Sequence, residues 1–111
     1  MKYVLMLCSD LAHRDDLAEA AKEGCGDWTA EMTGRGVLVN SIGLRPSDDA
    51  TTVRMRDSEV LLTDGPFTET KDQIGGMSLI ECADLDEALE VAAAHPWARV
   101  GQIEVRPVWE P

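Results

Sequence analysis

The sequence predicts an α+β domain with a split βαβ core, and three observations carry that prediction. Strand-like and helix-like patterns follow one another in the order β-α-β, hairpin, β-α-β across the 111 residues. Two stretches, about 15–35 and 85–95, place apolar residues at helical spacing, while the others alternate at a period of two or run continuously apolar. No repeat, linker or low-complexity segment breaks the order, so residues 1–111 read as one domain. The expected architecture is a mostly antiparallel sheet with both helices on one face. The chain has no third helix for the other face, which points to a second subunit as its cover.

Taken in order, residues 2–8 form a nearly continuous apolar strand, the pattern of a central strand buried on both faces. In the first helix Leu17, Ala20, Ala21, Cys25, Trp28 and Met32 make one stripe, and Asp10 or the Asp15-Asp16 pair supplies negative charge at its start. Gly24 and Gly26 are poor helix formers and mark a close approach or a local irregularity. Gly34-Arg35-Gly36 ends the helix. Residues 37–44 form the second strand, again apolar at successive positions. Residues 51–56 form a third, with Val53 and Met55 on one face and Arg54 and Arg56 on the other. Asp57-Ser58-Glu59 then turns the chain into residues 60–63 to close a hairpin.

Asp64-Gly65-Pro66 stops that strand, because proline lacks an N–H for the ladder. Gly75-Gly76 lets the backbone bend or approach a neighbour before a strand at 77–82. Asp84-Leu85-Asp86-Glu87 is a capping box, followed by a stripe of Leu85, Ala88, Leu89 and Ala92, and Pro96 stops the helix after His95. Residues 101–108 are the last strand, and Pro107 predicts that it leaves the sheet, or runs along an edge, near its end.

Composition narrows the function classes. Ten Lys and Arg against 21 Asp and Glu give −11, which disfavours nucleic-acid backbones and anionic membranes as partners. No run is long enough to span a bilayer and no leader pattern opens the chain, so a cytoplasmic protein is expected. Cys8, Cys25 and Cys82 are scattered, and neither they nor His13 and His95 cluster as metal ligands do. No metal and no cofactor is expected. Cys8 and Cys82 read as small core residues.

The most readable stretch is Asp64-Gly65-Pro66-Phe67 with Glu69, Thr70, Lys71 and Gly75-Gly76 behind it. Thr51-Thr52-Val53-Arg54 precedes it, Asp84-Leu85-Asp86-Glu87-Ala88-Leu89 follows, and Ile103-Glu104-Val105-Arg106-Pro107-Val108 lies near the C-terminus. Together these resemble the YCII-related proteins, in the branch called DGPF proteins, over nearly the whole chain. The resemblance implies a ferredoxin-like fold that forms homodimers in the manner of a dimeric α/β barrel. It implies one of two roles. One is cofactor-independent acid–base chemistry on a small organic molecule, as in muconolactone isomerases. The other is a non-catalytic ligand-binding or regulatory accessory protein beside an alternative sigma factor. Other members pair a first-helix histidine with an aspartate; here Cys25 and Trp28 occupy that region instead.

Asp64 is the candidate catalytic residue, a carboxylate at a strand end placed to act as a base or simply to cap its turn. Arg54 is a candidate for binding an anionic substrate or pairing with Asp64. Glu69, Lys71 and Arg106 either contact a ligand or pin the loop to one another. Phe67, the one phenylalanine, is expected to anchor the turn so that it lines an enclosed polar pocket near the dimer interface. His95 stands at a helix end, where protonation gains from the helix dipole or where it takes part in a site. Trp28 is expected in the core, and Trp97 and Trp109 at an interface or pocket.

Overall fold

The computed structural model describes residues 1–9, 24–65 and 73–110. The expected start of the first helix, with Asp10, His13, the Asp15-Asp16 pair, Leu17, Ala20 and Ala21, lies outside these residues. So does the turn from Pro66 to Asp72, with Phe67, Glu69, Thr70 and Lys71.

Six strands and two helices are described: β1 (Lys2–Ser9), α1 (Cys25–Gly34), β2 (Leu38–Gly43), β3 (Thr51–Arg56), β4 (Glu59–Asp64), β5 (Gln73–Glu81), α2 (Leu85–Ala93) and β6 (Gln102–Pro107). Four strands form one sheet in the order β2-β5-β1-β6, and every pairing is antiparallel. β1 sits second from one edge with β6 outside it, and β5 separates it from β2. This is the split βαβ arrangement of a ferredoxin-like α+β fold.

Strand alternation decides which face is covered. Tyr3, Leu5 and Leu7 of β1 and Ile80 of β5 are buried on one face. Tyr3, Leu5 and Ile80 pack with Trp28 and Met32 of α1 and Ala88, Val91 and Ala92 of α2 in a single core, so both helices lie on that face. Ile103 and Val105 of β6 complete it. The intervening residues Val4, Met6, Met77 and Leu79 are only half-buried, because no described element lies over the opposite face.

Local signals explain the helix ends. Asp84 caps α2, its carboxylate accepting from the Glu87 N–H at 2.9 Å. At the C-terminus of α1 the Gly36 N–H bonds to the Thr33 carbonyl and the Val37 N–H to the Met32 carbonyl. Gly36 holds φ +73°, and Val37 and Met32 are both buried; this is a Schellman motif with its usual apolar contact.

Three expectations are corrected. The buried stripe of α2 is Ala88, Val91 and Ala92, and Leu85 and Leu89 stand half exposed at 48% and 47%. Two alanines on the buried side let the helix settle close to the sheet, and Trp28 Nε1–H donates to the Val91 carbonyl at 3.0 Å, fixing that rotation. β5 begins at Gln73, so Gly75-Gly76 lies within the strand. A Cβ on Gly75 would stand 2.9 Å from the Trp97 ring and one on Gly76 2.9 Å from the Ile42 carbonyl oxygen, so close approach is what the glycines provide. Finally, β2 is an edge strand with Val39, Ile42 and Leu44 about half exposed, not a strand buried on both faces.

β3 and β4 form a separate two-stranded sheet. Asp57 (φ 52°) and Ser58 (φ 65°) make its two-residue turn, both in the left-handed region as a type I′ hairpin requires. The hairpin base is fastened by Gly65 N–H to the Ala50 carbonyl and by Thr52 Oγ1–H to the Gly65 carbonyl, each 2.7 Å. The Cα radius of gyration is 15.7 Å, against roughly 13 Å for a compact domain of this length.

Candidate functional site

The residues singled out in the sequence occupy three separate places. Asp64 ends β4 opposite Thr51, while Arg54 of β3 lies opposite Leu61. Opposed residues share a face and successive residues alternate, so Asp64 and Arg54 point to opposite faces of the hairpin. They are not brought together. Asp64 is exposed.

Arg106 lies on β6 opposite Val4 and Glu104 opposite Met6, both on the sheet face away from the helices. The Arg106 guanidinium pairs with the Glu104 carboxylate. Phe67, Glu69 and Lys71 lie outside the described residues.

His95 is in the interior, 4% exposed. Its ring meets Trp28 edge-on, with centroids 4.5 Å apart. Its Nδ1 accepts from the Trp97 N–H at 3.0 Å, capping the short 3-10 turn Pro96–Arg99. Burial pushes the imidazole below its ordinary value, so the neutral ring is favoured and the expected gain from a protonated histidine at a helix end does not arise. Trp97 extends this cluster by donating Nε1–H to the Cys8 carbonyl at 3.0 Å. Trp28 is in the core as expected, whereas Trp109 is 87% exposed. Burial pushes the Cys25 and Cys82 thiols up, so neither is poised as a thiolate.

A cavity of about 220 Å³ opens on the sheet face away from the described helices. β1, β5 and β2 line it with Val4, Met77, Leu79, Asn40, Ile42, Ser41 and Ser78. Register brings these together: Val4 lies opposite Leu79, Asn40 opposite Leu79 and Ile42 opposite Met77. The β2–β5 register shifts between Leu38 and Asn40, which turns Asn40 and Ile42 toward this face. Ser41 and Ser78 share a hydrogen bond of 2.9 Å between hydroxyls. Asn40 Oδ1 accepts from the Ser41 N–H at 2.8 Å.

The side chains on this face are therefore apolar walls with one amide, Asn40, and none of the described lining residues is titratable; the Ser41 and Ser78 hydroxyls, in register with Leu5, belong to the helix-covered face. The cavity can hold a small, mostly apolar molecule and orient it by hydrogen bonds. Asp64 is not among the lining residues. Sequence reading passed over Asn40, Ser41 and Ser78 because single polar residues within apolar strands carry no motif. The signal available was that strands 2–8 and 37–44 are apolar at successive positions, which marks a second face in need of burial.

Among the described residues no helix is long and apolar enough to cross a membrane. An uncharacterised protein of Rhizobium meliloti (strain 1021) is 46% identical over 69 residues, covering 59% of this chain and 54% of that protein. The chain thus spans about half the length of this relative. The model of the YCII-related domain matches residues 1–111, and with the split βαβ sheet in place beneath it, the chain belongs to the YCII-related domain family.

Proposed function

We propose that this domain binds a small organic molecule in the cavity on the uncovered sheet face, as a cytoplasmic homodimer. The observation that carries the reading is the cavity of about 220 Å³ with Val4, Ile42, Met77 and Leu79 as walls and Asn40 at its polar side. Few convergent polar groups in an apolar concavity are the ordinary make-up of a ligand site. Among the described lining residues Asn40 offers hydrogen bonds and none is an acid or base, which supports binding as the first reading. It accords with the accessory, non-catalytic role beside an alternative sigma factor that the family resemblance implies.

A thermal-shift screen of small organic acids and lactones tests this. At least one compound is expected to raise the melting temperature of the natural chain, and Asn40→Ala is expected to abolish the rise while leaving the ligand-free stability within about 0.5 kcal/mol. A rise of the same size in Asn40→Ala, or no rise with any compound, defeats the reading.

A further inference from the structure

The sheet face away from the described helices carries its residues in rows. Arg106 of β6 lies opposite Val4 of β1, Val4 opposite Leu79 of β5, and Leu79 opposite Asn40 of β2. Opposed residues share a face, so this row crosses the whole sheet with a guanidinium at one end and an amide at the other. The next row runs Glu104, Met6, Met77 and Ile42 in the same way. The cavity takes Val4, Leu79 and Asn40 from the first row and Met77 and Ile42 from the second. Arg106 thus stands one strand beyond the lining, its backbone roughly 5 Å from that of Val4, a gap that an arginine stem spans. Lys2, the other cation on this face among the described strands, is in register with Glu81 instead.

Both ends of the Arg106–Asn40 row offer donors. Asn40 Oδ1 accepts from the Ser41 N–H, so what the amide has left to give is its Nδ2–H. Arg106 pairs with Glu104 through Nη2. Their side chains are 67% and 51% exposed, and an ion pair so open to water contributes little, so a second carboxylate joins or displaces Glu104 at small cost. A guanidinium also has more N–H donors than one carboxylate uses. The backbone beneath it is fixed, since the Val108 N–H donates to the Lys2 carbonyl at 2.9 Å just past Arg106.

We propose that the ligand of this face is an apolar monocarboxylate. Its body lies in the cavity, its carboxylate meets the Arg106 guanidinium beyond Val4, and an acceptor atom at its far end takes the Asn40 Nδ2–H. This rests on the cavity reading above and names the class of ligand that fills it. A carboxylate belongs at the arginine end because a charge-assisted, two-pronged bond forms there and not at an amide. The row also sets a length. Val4 and Asn40 are two strand spacings apart, about 10 Å, which suits one ring carrying a short acid arm. Charge makes the assignment selective. A chain of −11 repels anions from most of its surface, so any preference for an acid over its neutral amide needs a local cation. Among the described residues Arg106 is the cation in register with the lining.

The test is calorimetric titration of the natural chain with benzoate, phenylacetate, 3-phenylpropanoate and their 4-hydroxy forms, each beside its primary amide. At least one acid is expected to bind about tenfold or more tighter than its amide. Arg106→Gln is expected to bring that acid down to the affinity of the amide and to leave the amide unchanged. Arg106→Lys should keep part of the preference, since it keeps the charge and loses the planar fork. Position 106 is exposed, so both variants should keep the far-ultraviolet circular dichroism of the natural chain. An amide bound as tightly as its acid, or a preference that survives Arg106→Gln, overturns the proposal; if that binding is still lost in Asn40→Ala, the cavity reading stands. Acid binding that needs Arg106 and is indifferent to Asn40→Ala defeats the cavity reading instead and leaves Arg106 as a surface anion contact. No binding by any acid overturns the proposal, and the lactones of the thermal-shift screen then decide the cavity reading alone.

Discussion

His95 shows how one buried residue ties several parts of the chain together. Its ring packs on Trp28 from α1 and its Nδ1 caps the turn that positions Trp97. Trp97 in turn reaches the Cys8 carbonyl on β1. Protonating Nδ1 removes the acceptor and places a charge among apolar groups. Because burial lowers the His95 pKa below the ordinary 6.5, the folded chain binds this proton less readily than the unfolded chain. The stability contribution is complete above about pH 6.5 and is lost progressively as pH falls from there toward the lowered folded value. Melting temperature should therefore drop between pH 7.5 and pH 5.5, and His95→Gln should flatten that dependence. His95→Ala removes both the cap acceptor and the ring contact and should cost about 2–3 kcal/mol by denaturant titration. A variant with unchanged stability and an unchanged pH profile would separate His95 from the architecture.

At the scale of elements, two glycines separate close packing from conformational freedom. Gly76 in β5 lies where a Cβ would meet the Ile42 carbonyl oxygen at 2.9 Å, a backbone atom that cannot yield without moving β2. Gly76→Ala should destabilise the chain by about 1–3 kcal/mol. Gly26 sits inside α1 with open space around its would-be Cβ, so Gly26→Ala should stabilise by up to ~1 kcal/mol. Parallel chemical denaturation of the two variants gives opposite signs if β2 and β5 touch as described. The same comparison shows what was legible in the sequence. Order, capping and period define local patterns, so the β-α-β, hairpin, β-α-β order, the Asp84 cap and the glycine end of α1 were all readable. Gly75-Gly76 reads as a breaker because the close neighbours that require glycines, Trp97 and Ile42, are distant in sequence. The hairpin failed by a single residue. A three-residue turn at 57–59 leaves the pairing of Arg54 undetermined, whereas the observed two-residue turn adds Glu59 to β4, sets Arg54 against Leu61 and turns Asp64 to the other face. The cavity was illegible for the same reason, since it depends on the register of three strands and on a shift between Leu38 and Asn40.

The whole molecule is a covered half-sheet joined to an uncovered one. One face of β2-β5-β1-β6 has its helices and its core. The other face has no described element over it and carries Val4, Met6, Met77 and Leu79 beside the Glu104–Arg106 pair of β6. A second chain across that face would make folding and association parts of the same equilibrium. If so, stability must depend on concentration, because association draws the folded chains forward by mass action. Each tenfold rise in protein concentration should add about 1.4 kcal/mol per dimer, or about 3 °C in the melting temperature of a pair of this size. Ionic strength supplies an independent check. Chains of charge −11 repel one another across any shared interface, and that repulsion is screened over about 8 Å at 0.15 M salt but reaches about 30 Å at 0.01 M. Sedimentation at the two salt concentrations should show tighter association at the higher one, opposite to an interface held by attraction between charges. A melting temperature independent of concentration from micromolar to millimolar, with one sedimentation coefficient at both salts, would leave that face without a second chain as its cover.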